Sequence, residues 1–471
     1  MIFTKKLFHH KRSLLFLSVL LSSPFVAHTQ VLTIKQAINQ ATENYGTIKA
    51  KANYVGAAKL SVEQSKREYL PNLTISAQQD YGTVNGQNGP LFGFGGFGVA
   101  SSGLPLDHQN WNAAFGALYL ANLNWDFYTF GKVRERIKIS KALLGQNEND
   151  LEQEQFQHQV RVASAYLNLL AAQRLTISQQ RNLDRANTFR TTAVTRAING
   201  LIPGVDSSFA NAEVSNAKIA LTKAHDFEQE QANRLTVLMG IVNAEFVLDS
   251  TFIKQIPASI FKPATSKEKE HPTLKFYQSR INASTEQAKY YRRMMYPNLS
   301  MFGIIQGRGS GFSAAYTQDQ TAFTRNYGTG VTPTRGNYLV GIGVNWNLTS
   351  ILRFSPQANS QKLVSEAMQN EYDLADQQIK AQIALADIKI KNAMDNYNEA
   401  PIQVKAASDA YLQKNTLYNN GLATIVEVTQ TLYALNRAET DRDIIYNNVW
   451  QALLMKAAAS GDINIFLNEV Q

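Results

Sequence analysis

The chain is 471 residues long, 44% hydrophobic and free of cysteine, which excludes disulfide scaffolding and thiol chemistry. No run of about 18 apolar residues occurs, so no helix of the chain is expected to span a bilayer. The net charge of +9, less the four cations Lys5, Lys6, Lys11 and Arg12, leaves +5 without aromatic interleaving, a poor footprint for nucleic acid.

Residues 1–29 read as a signal peptide. A basic start precedes the short apolar run Leu14 to Leu21, and Ala27-His28-Thr29 offers a cleavage site before Gln30. No cysteine follows to carry a lipid, so an exported, non-acylated chain is expected. Residues 33–68 predict a first helix, because Ile34, Ala37, Ile38, Ala41 and Ile48 keep helical spacing. Thr33 is placed to cap this helix, and Pro71 to end it.

Asn72 to Tyr81 then alternates with period two, setting Asn, Thr, Ser, Gln and Asp on one face. After the glycine-rich stretch 82–110, Trp111 to Phe127 alternates again, with Trp111, Phe115, Tyr119 and Trp125 along an apolar face. Such segments have the length and two-sided character of strands that cross an outer membrane obliquely. From Gly131 to Ile198 there is no proline, which predicts a helical rod of roughly 100 Å. It turns at Asn199-Gly200-Leu201 into a returning helix whose start carries Val205-Asp206.

The segment 242–272, punctuated by Pro257, Pro263 and Pro272, reads as a linker. Beyond it the pattern returns. Asn420-Gly421-Leu422 repeats Asn199-Gly200-Leu201 at an offset of 221 residues, Asn345-Trp346 repeats Asn124-Trp125, and Tyr296-Pro297-Asn298-Leu299 echoes Tyr69-Leu70-Pro71-Asn72-Leu73. A period this long means a tandem duplication, not a solenoid. The repeats are placed at 30–241 and 273–471.

In the second copy, Asn298 to Gln306 is a less regular strand, because Phe302 and Ile304 fall on its polar side. Tyr338 to Leu348 is regular, with Tyr338, Val340, Ile342, Val344 and Trp346 on the apolar face. A long helix is expected over 357–418, kinked or interrupted at Pro401. Ile425, Val428, Leu432 and Leu435 mark a coiled-coil-like seam on the helix that returns.

Four membrane strands cannot close a barrel, for which about eight are needed, and lipid does not tolerate open edges. The chain is therefore expected to oligomerise, and three copies would supply twelve strands. No catalytic, cofactor or metal site is expected. His108, His158, His225 and His271 lack ligand spacing, and Gly93 to Gly98 imitates a phosphate loop without its lysine or flanking strand.

The order of these features resembles the outer-membrane efflux proteins of the TolC type, over essentially all of residues 31–465. The resemblance implies an α+β membrane fold: a homotrimer whose twelve-stranded barrel continues into a long periplasmic barrel of helices. It implies a passive exit duct in the outer membrane, docked to a periplasmic adaptor protein and an inner-membrane pump or ATP-driven exporter. The glycine turns would be periplasmic tips, with Gly200, Leu201, Gly421 and Leu422 gripping the adaptor.

In the founding member the tips are closed by acids and a tyrosine, which match Asp206, Glu427 and Tyr418 here, with Tyr418 expected to bond Asp206. Ala423 and Gln430 replace a locking arginine and a second acid. The same two acids would also serve as helix-start residues favoured by the macrodipole. A periplasmic coiled-coil scaffold without transport would explain the helices but not the two-faced strands. A porin would need strand to dominate the chain. Nothing in the sequence selects among drugs, metal ions and polypeptides as cargo.

Overall fold

The computed structural model describes residues 31–86, 104–242, 245–261 and 271–470. The signal peptide and parts of the 82–110 stretch and of the linker lie outside the described residues. Helices α1 (Ile34–Asn44) and α2 (Gly46–Arg67) lead into strands β1 (Asn72–Thr83) and β2 (Ala113–Tyr128), then α3 (Lys132–Ile198) and α4 (Gly204–Met239). After two short 3-10 turns come α5 (Pro272–Arg293), β3 (Asn298–Ser310), α6 (Tyr327–Val331), β4 (Arg335–Asn345), α7 (Ser350–Asn419), α8 (Ile425–Ser460) and α9 (Asn464–Leu467).

The long helices stop at glycine. Gly200, Gly240, Gly421 and Gly461 have φ of +68°, +65°, +78° and +75°, a conformation that costs other residues a Cβ clash. Each closes the same cap, in which the amide after the glycine reaches back five residues, as from Leu201 to the Arg196 carbonyl at 2.9 Å and from Leu422 to Leu417 at 2.8 Å. Gly240 and Gly461 lie 221 residues apart, as do Gly200 and Gly421, and α4 and α8 each have 36 residues.

All four strands form one antiparallel sheet in the order β1-β2-β3-β4, which leaves one edge of β1 and one of β4 without a partner in the chain. Register gives the sheet two faces. One carries Leu73, Ile75, Tyr119, Leu123, Met301, Ile305, Tyr338, Val340, Ile342 and Val344. The other carries Thr74, Ser76, Gln78, Asn122, Asn124, Gln306 and Asn337. Phe302 lies on this polar side, and its ring covers the bare Cα of Gly341 on the neighbouring strand.

Two strand ends depart from the alternation. Trp111 precedes β2, because Asn110 and Asn112 are engaged by side chains: the Asn110 amide donates to Asn85 Oδ1 at 2.7 Å and the Asn112 amide to Asn110 Oδ1 at 2.8 Å. Trp346 lies one residue past β4, and its indole N–H donates to the Met295 carbonyl at 3.0 Å. Phe115 and Tyr119 sit on the apolar face, but α6 lies over them. The Phe115 ring meets Tyr327 edge-on at 5.2 Å, and the Tyr119 hydroxyl donates to the Val331 carbonyl at 3.1 Å.

The helices differ from expectation in two places. Tyr45 is extended (φ −66°, ψ 123°), so the first helix is two, the earlier capped by a Thr33–Gln36 capping box. Its ring stacks on the buried His158 at 3.9 Å, which fixes the break. Helix α7 begins at Ser350 and continues through Pro356 and Pro401. A proline removes one helix hydrogen bond, and packing against α5 and α8 holds the rod in spite of that loss.

Seventy residues of α7 span about 105 Å at 1.5 Å per residue. Helix α3 packs against α2 and α5 toward the sheet and against α4 and α8 toward the other end. The main core lies where α1, α3, α4, α8 and α9 meet, around Tyr166, Leu170, Leu235, Met239, Phe252, Trp450 and Phe466. Tyr166 is buried there, with its hydroxyl on the Leu32 carbonyl at 2.7 Å. Among the described residues no helix is long and apolar enough to cross a membrane.

Candidate functional site

Two turns, α3 to α4 and α7 to α8, come together at the end of the helices far from the sheet. Between them lies a small core of Phe189, Ala193, Ala210, Tyr418, Ile425 and Val428, drawn from all four helices. The turn leucines stand outside it: Leu201 is 66% and Leu422 74% exposed, beside Gly200 and Gly421. Neither glycine has a backbone closely against it, so positive φ alone requires them.

The three expected gate residues are not joined by hydrogen bonds. Tyr418 is 2% exposed, packed on Phe189, and its hydroxyl has no partner. Burial pushes this phenol above its usual range, with the Asp206 charge adding to the effect and Arg196 opposing it. Asp206 therefore lies close enough to be felt but makes no bond to Tyr418, which corrects the expected pairing. Held among apolar side chains, the phenol leaves its hydroxyl without the partner a buried polar group ordinarily has.

Glu427 is a capping-box residue. It accepts from the Thr424 amide at 2.8 Å and, on its other oxygen, from Lys414 Nζ at 2.9 Å. The Lys414 ammonium and the Thr424 amide hold its carboxyl down at about 2. Asp206 occupies the first turn of α4, where the N-terminal dipole favours an anion.

The residues that link the two hairpins were missed by the sequence reading. Arg196, in the last turn of α3, donates to the carbonyls of Tyr418 at 2.6 Å and Asn419 at 3.0 Å, with its guanidinium 5.3 Å from the Tyr418 ring centre. Arg185 makes a two-pronged pair with Glu439 on α8 at 3.2 and 2.7 Å. Tyr433 on α8 donates to Glu213 on α4. A cation in a last helical turn is a readable signal. That its target is the carbonyl end of another helix is visible only once the hairpins are packed.

Tall hairpins joined at a polar tip and a two-faced sheet at the opposite end form an arrangement that known proteins share. Residues 37–241 match the model of a family described as outer membrane efflux protein. The match covers somewhat less than half of the chain, so what it shows is a likeness of the first half to this family. None of the curated proteins compared matches the chain.

Among solved structures, the outer membrane protein VceC of Vibrio cholerae is 17% identical with a TM-score of 0.71, over 91% of this chain and 96% of that one. The CmeC outer membrane channel of Campylobacter jejuni is 14% identical with a TM-score of 0.70, over 91% and 85%. The open-state MtrE outer membrane channel of Neisseria gonorrhoeae is 14% identical with a TM-score of 0.68, over 91% and 89%. At such identities the likeness concerns the fold.

The family matched over residues 37–241 is one of outer membrane efflux proteins, and the solved neighbours are outer-membrane proteins. Among the described residues no group of three or more His, Cys, Asp or Glu side chains is placed to hold a metal ion.

Proposed function

We propose that three copies of this chain assemble into one passive exit duct of a tripartite efflux or type I secretion system. The observation that carries this reading is the open four-stranded sheet with an apolar face. In lipid its free edges on β1 and β4 would each leave a row of unsatisfied backbone groups. Three sheets joined β4 to β1 give twelve strands and no edge. The face of Val340, Ile342 and Val344 then meets lipid and that of Thr74, Ser76 and Asn122 lines water.

The two halves, residues 30–241 and 273–471, act as pseudo-equivalent repeats, so the trimer presents six hairpin tips. The tips serve as the adaptor's docking points through the exposed Leu201 and Leu422 beside their glycine turns. Asp206 and Glu427 line the narrow mouth, where carboxylates repeated by symmetry favour cations. The lock is Arg196 gripping the end of α7, in place of the arginine that Ala423 lacks. Opening requires Arg196, Arg185 and Tyr433 to release their partners.

Purification of the mature protein in mild detergent, with mass measured by light scattering, tests the assembly. A trimer in the outer-membrane fraction is expected. A folded monomer, or recovery only as soluble periplasmic protein, would sink the proposal.

A further inference from the structure

The end of the sheet nearest the helices carries a feature that transport does not use. Phe130 has φ +48°, the one non-glycine residue with positive φ among the described residues. A bulky side chain pays for that conformation in strain, and here it is followed directly by Gly131 at +90°. The twist sets the Phe130 ring edge-on to Tyr128 at 4.8 Å and parallel to Tyr296 at 6.3 Å. Tyr128 pairs with Leu299, which pairs with Val344, so the cluster closes the helix end of the apolar face.

Cations stand directly beyond it. The Arg293 guanidinium lies 5.7 Å from the Tyr296 ring centre, and its side chain runs across Gly131. Arg292 beside it is exposed, as is Arg134 in the first turn of α3. Arg134 is two residues from both Lys132 and Arg136, about 200° around the helix from each. Those two line a hollow of about 440 Å³ on the polar face, so Arg134 points away from it. Nearby acids are already engaged: Glu68 by Arg136, Glu135 by Lys138, Glu286 by Lys289.

We propose that Arg134, Arg292 and Arg293, with the Tyr128–Phe130–Tyr296 cluster, seat the phosphate headgroup of an anionic diacyl phospholipid in the periplasm-facing leaflet. This rests on the reading that the apolar face meets lipid. An acyl chain lies along that face, the aromatic rings sit at headgroup level, and the arginines extend their stems past the rings to the phosphate. Guanidinium matches phosphate oxygens in two-pronged geometry, and each cation near a charged leaflet adds attraction that salt weakens.

The test uses the purified trimer in mixed micelles containing phosphatidylglycerol or phosphatidylethanolamine, with bound lipid counted by native mass spectrometry. Wild type is expected to retain the anionic lipid preferentially. The triple substitution Arg134→Gln, Arg292→Gln, Arg293→Gln should lower that retention on the order of tenfold and leave phosphatidylethanolamine unchanged. Arg293→Lys alone should keep most of the binding.

Equal retention of both lipids by wild type and triple variant overturns the inference. Dissociation of the triple variant into monomers would mean that the arginines serve a neighbouring copy, which also overturns it. A wild-type chain that is itself monomeric would undo the assembly reading along with this one.

Discussion

At the scale of single residues, burial decides which groups matter at the tip. The Tyr418 hydroxyl is buried without a partner, a state that costs about 1–3 kcal/mol. Tyr418→Phe should therefore leave stability unchanged or raise it by up to about 1 kcal/mol, measured by thermal melting, and leave conductance near wild type. Arg196→Gln removes two charge-assisted bonds and should raise conductance in a planar bilayer. If Tyr418→Phe opened the duct and Arg196→Gln did not, the lock would lie in the phenol.

His158 makes a second case. Burial pushes its imidazole below the ordinary value, with the Arg161 charge adding to the effect and the Leu238 backbone and Glu154 opposing it. The unfolded chain then binds the proton more readily, so stability is full above about pH 6.5 and falls as pH drops, by at most about 1.4 kcal/mol per pH unit. His158→Phe keeps a ring against Tyr45 and should flatten the decline in melting temperature between pH 7 and 5. An unchanged slope would assign the acid sensitivity to other groups, His271 first.

Among elements, the sheet gives the sharpest comparison. Val340→Arg should impair assembly by about 2–4 kcal/mol if the residue lies near the bilayer midplane. Gly341, on the watery face, would ordinarily accept arginine, but the Phe302 ring occupies the space of its missing Cβ. Gly341→Arg should fail alone and recover trimer yield when combined with Phe302→Ala. Failure of the double variant, with Phe302→Ala itself assembling, would place lipid on both faces. The two faces were legible from alternation, and the Phe302 irregularity was visible too, although its cause was not, since register had to bring Gly341 opposite.

Other elements were less legible. Nothing in Tyr327–Val331, a Gly/Thr-rich pentapeptide, announces a helix; Asn326 starts it by accepting from the Thr329 amide at 3.0 Å. Likewise the helical break at Tyr45 depends on a ring 113 positions away in the chain, beyond any local pattern. The long rods were plain because nothing in α3 competes with helix. At the tip, the glycine turns could be read locally, whereas Arg196 acquires its role only from another helix's end.

For the whole molecule, the proposed mouth gathers Asp206 and Glu427 from three chains. Since Lys414 and Thr424 already hold Glu427, Asp206→Asn should lower cation preference and block by multivalent cations more than Glu427→Gln does. Equal and absent effects would move the constriction elsewhere. Leu201→Asp with Leu422→Asp should preserve trimer yield and abolish crosslinking to the adaptor; unchanged export would end the docking idea.

The β2–β3 ladder carries a consequence for biogenesis. It pairs Gly116 with Ser310 and Trp125 with Met301, so the central seam of the sheet joins chain segments separated by the whole α3–α4 hairpin and α5. Closing so large a loop is slow, whereas helices pairing across a short turn find each other quickly. The periplasmic rods should thus be in place while the membrane strands are still unpaired, and the chain must travel to the outer membrane half folded. Its most aggregation-prone surface is then its last to be covered, so that surface needs shielding until the ladder closes.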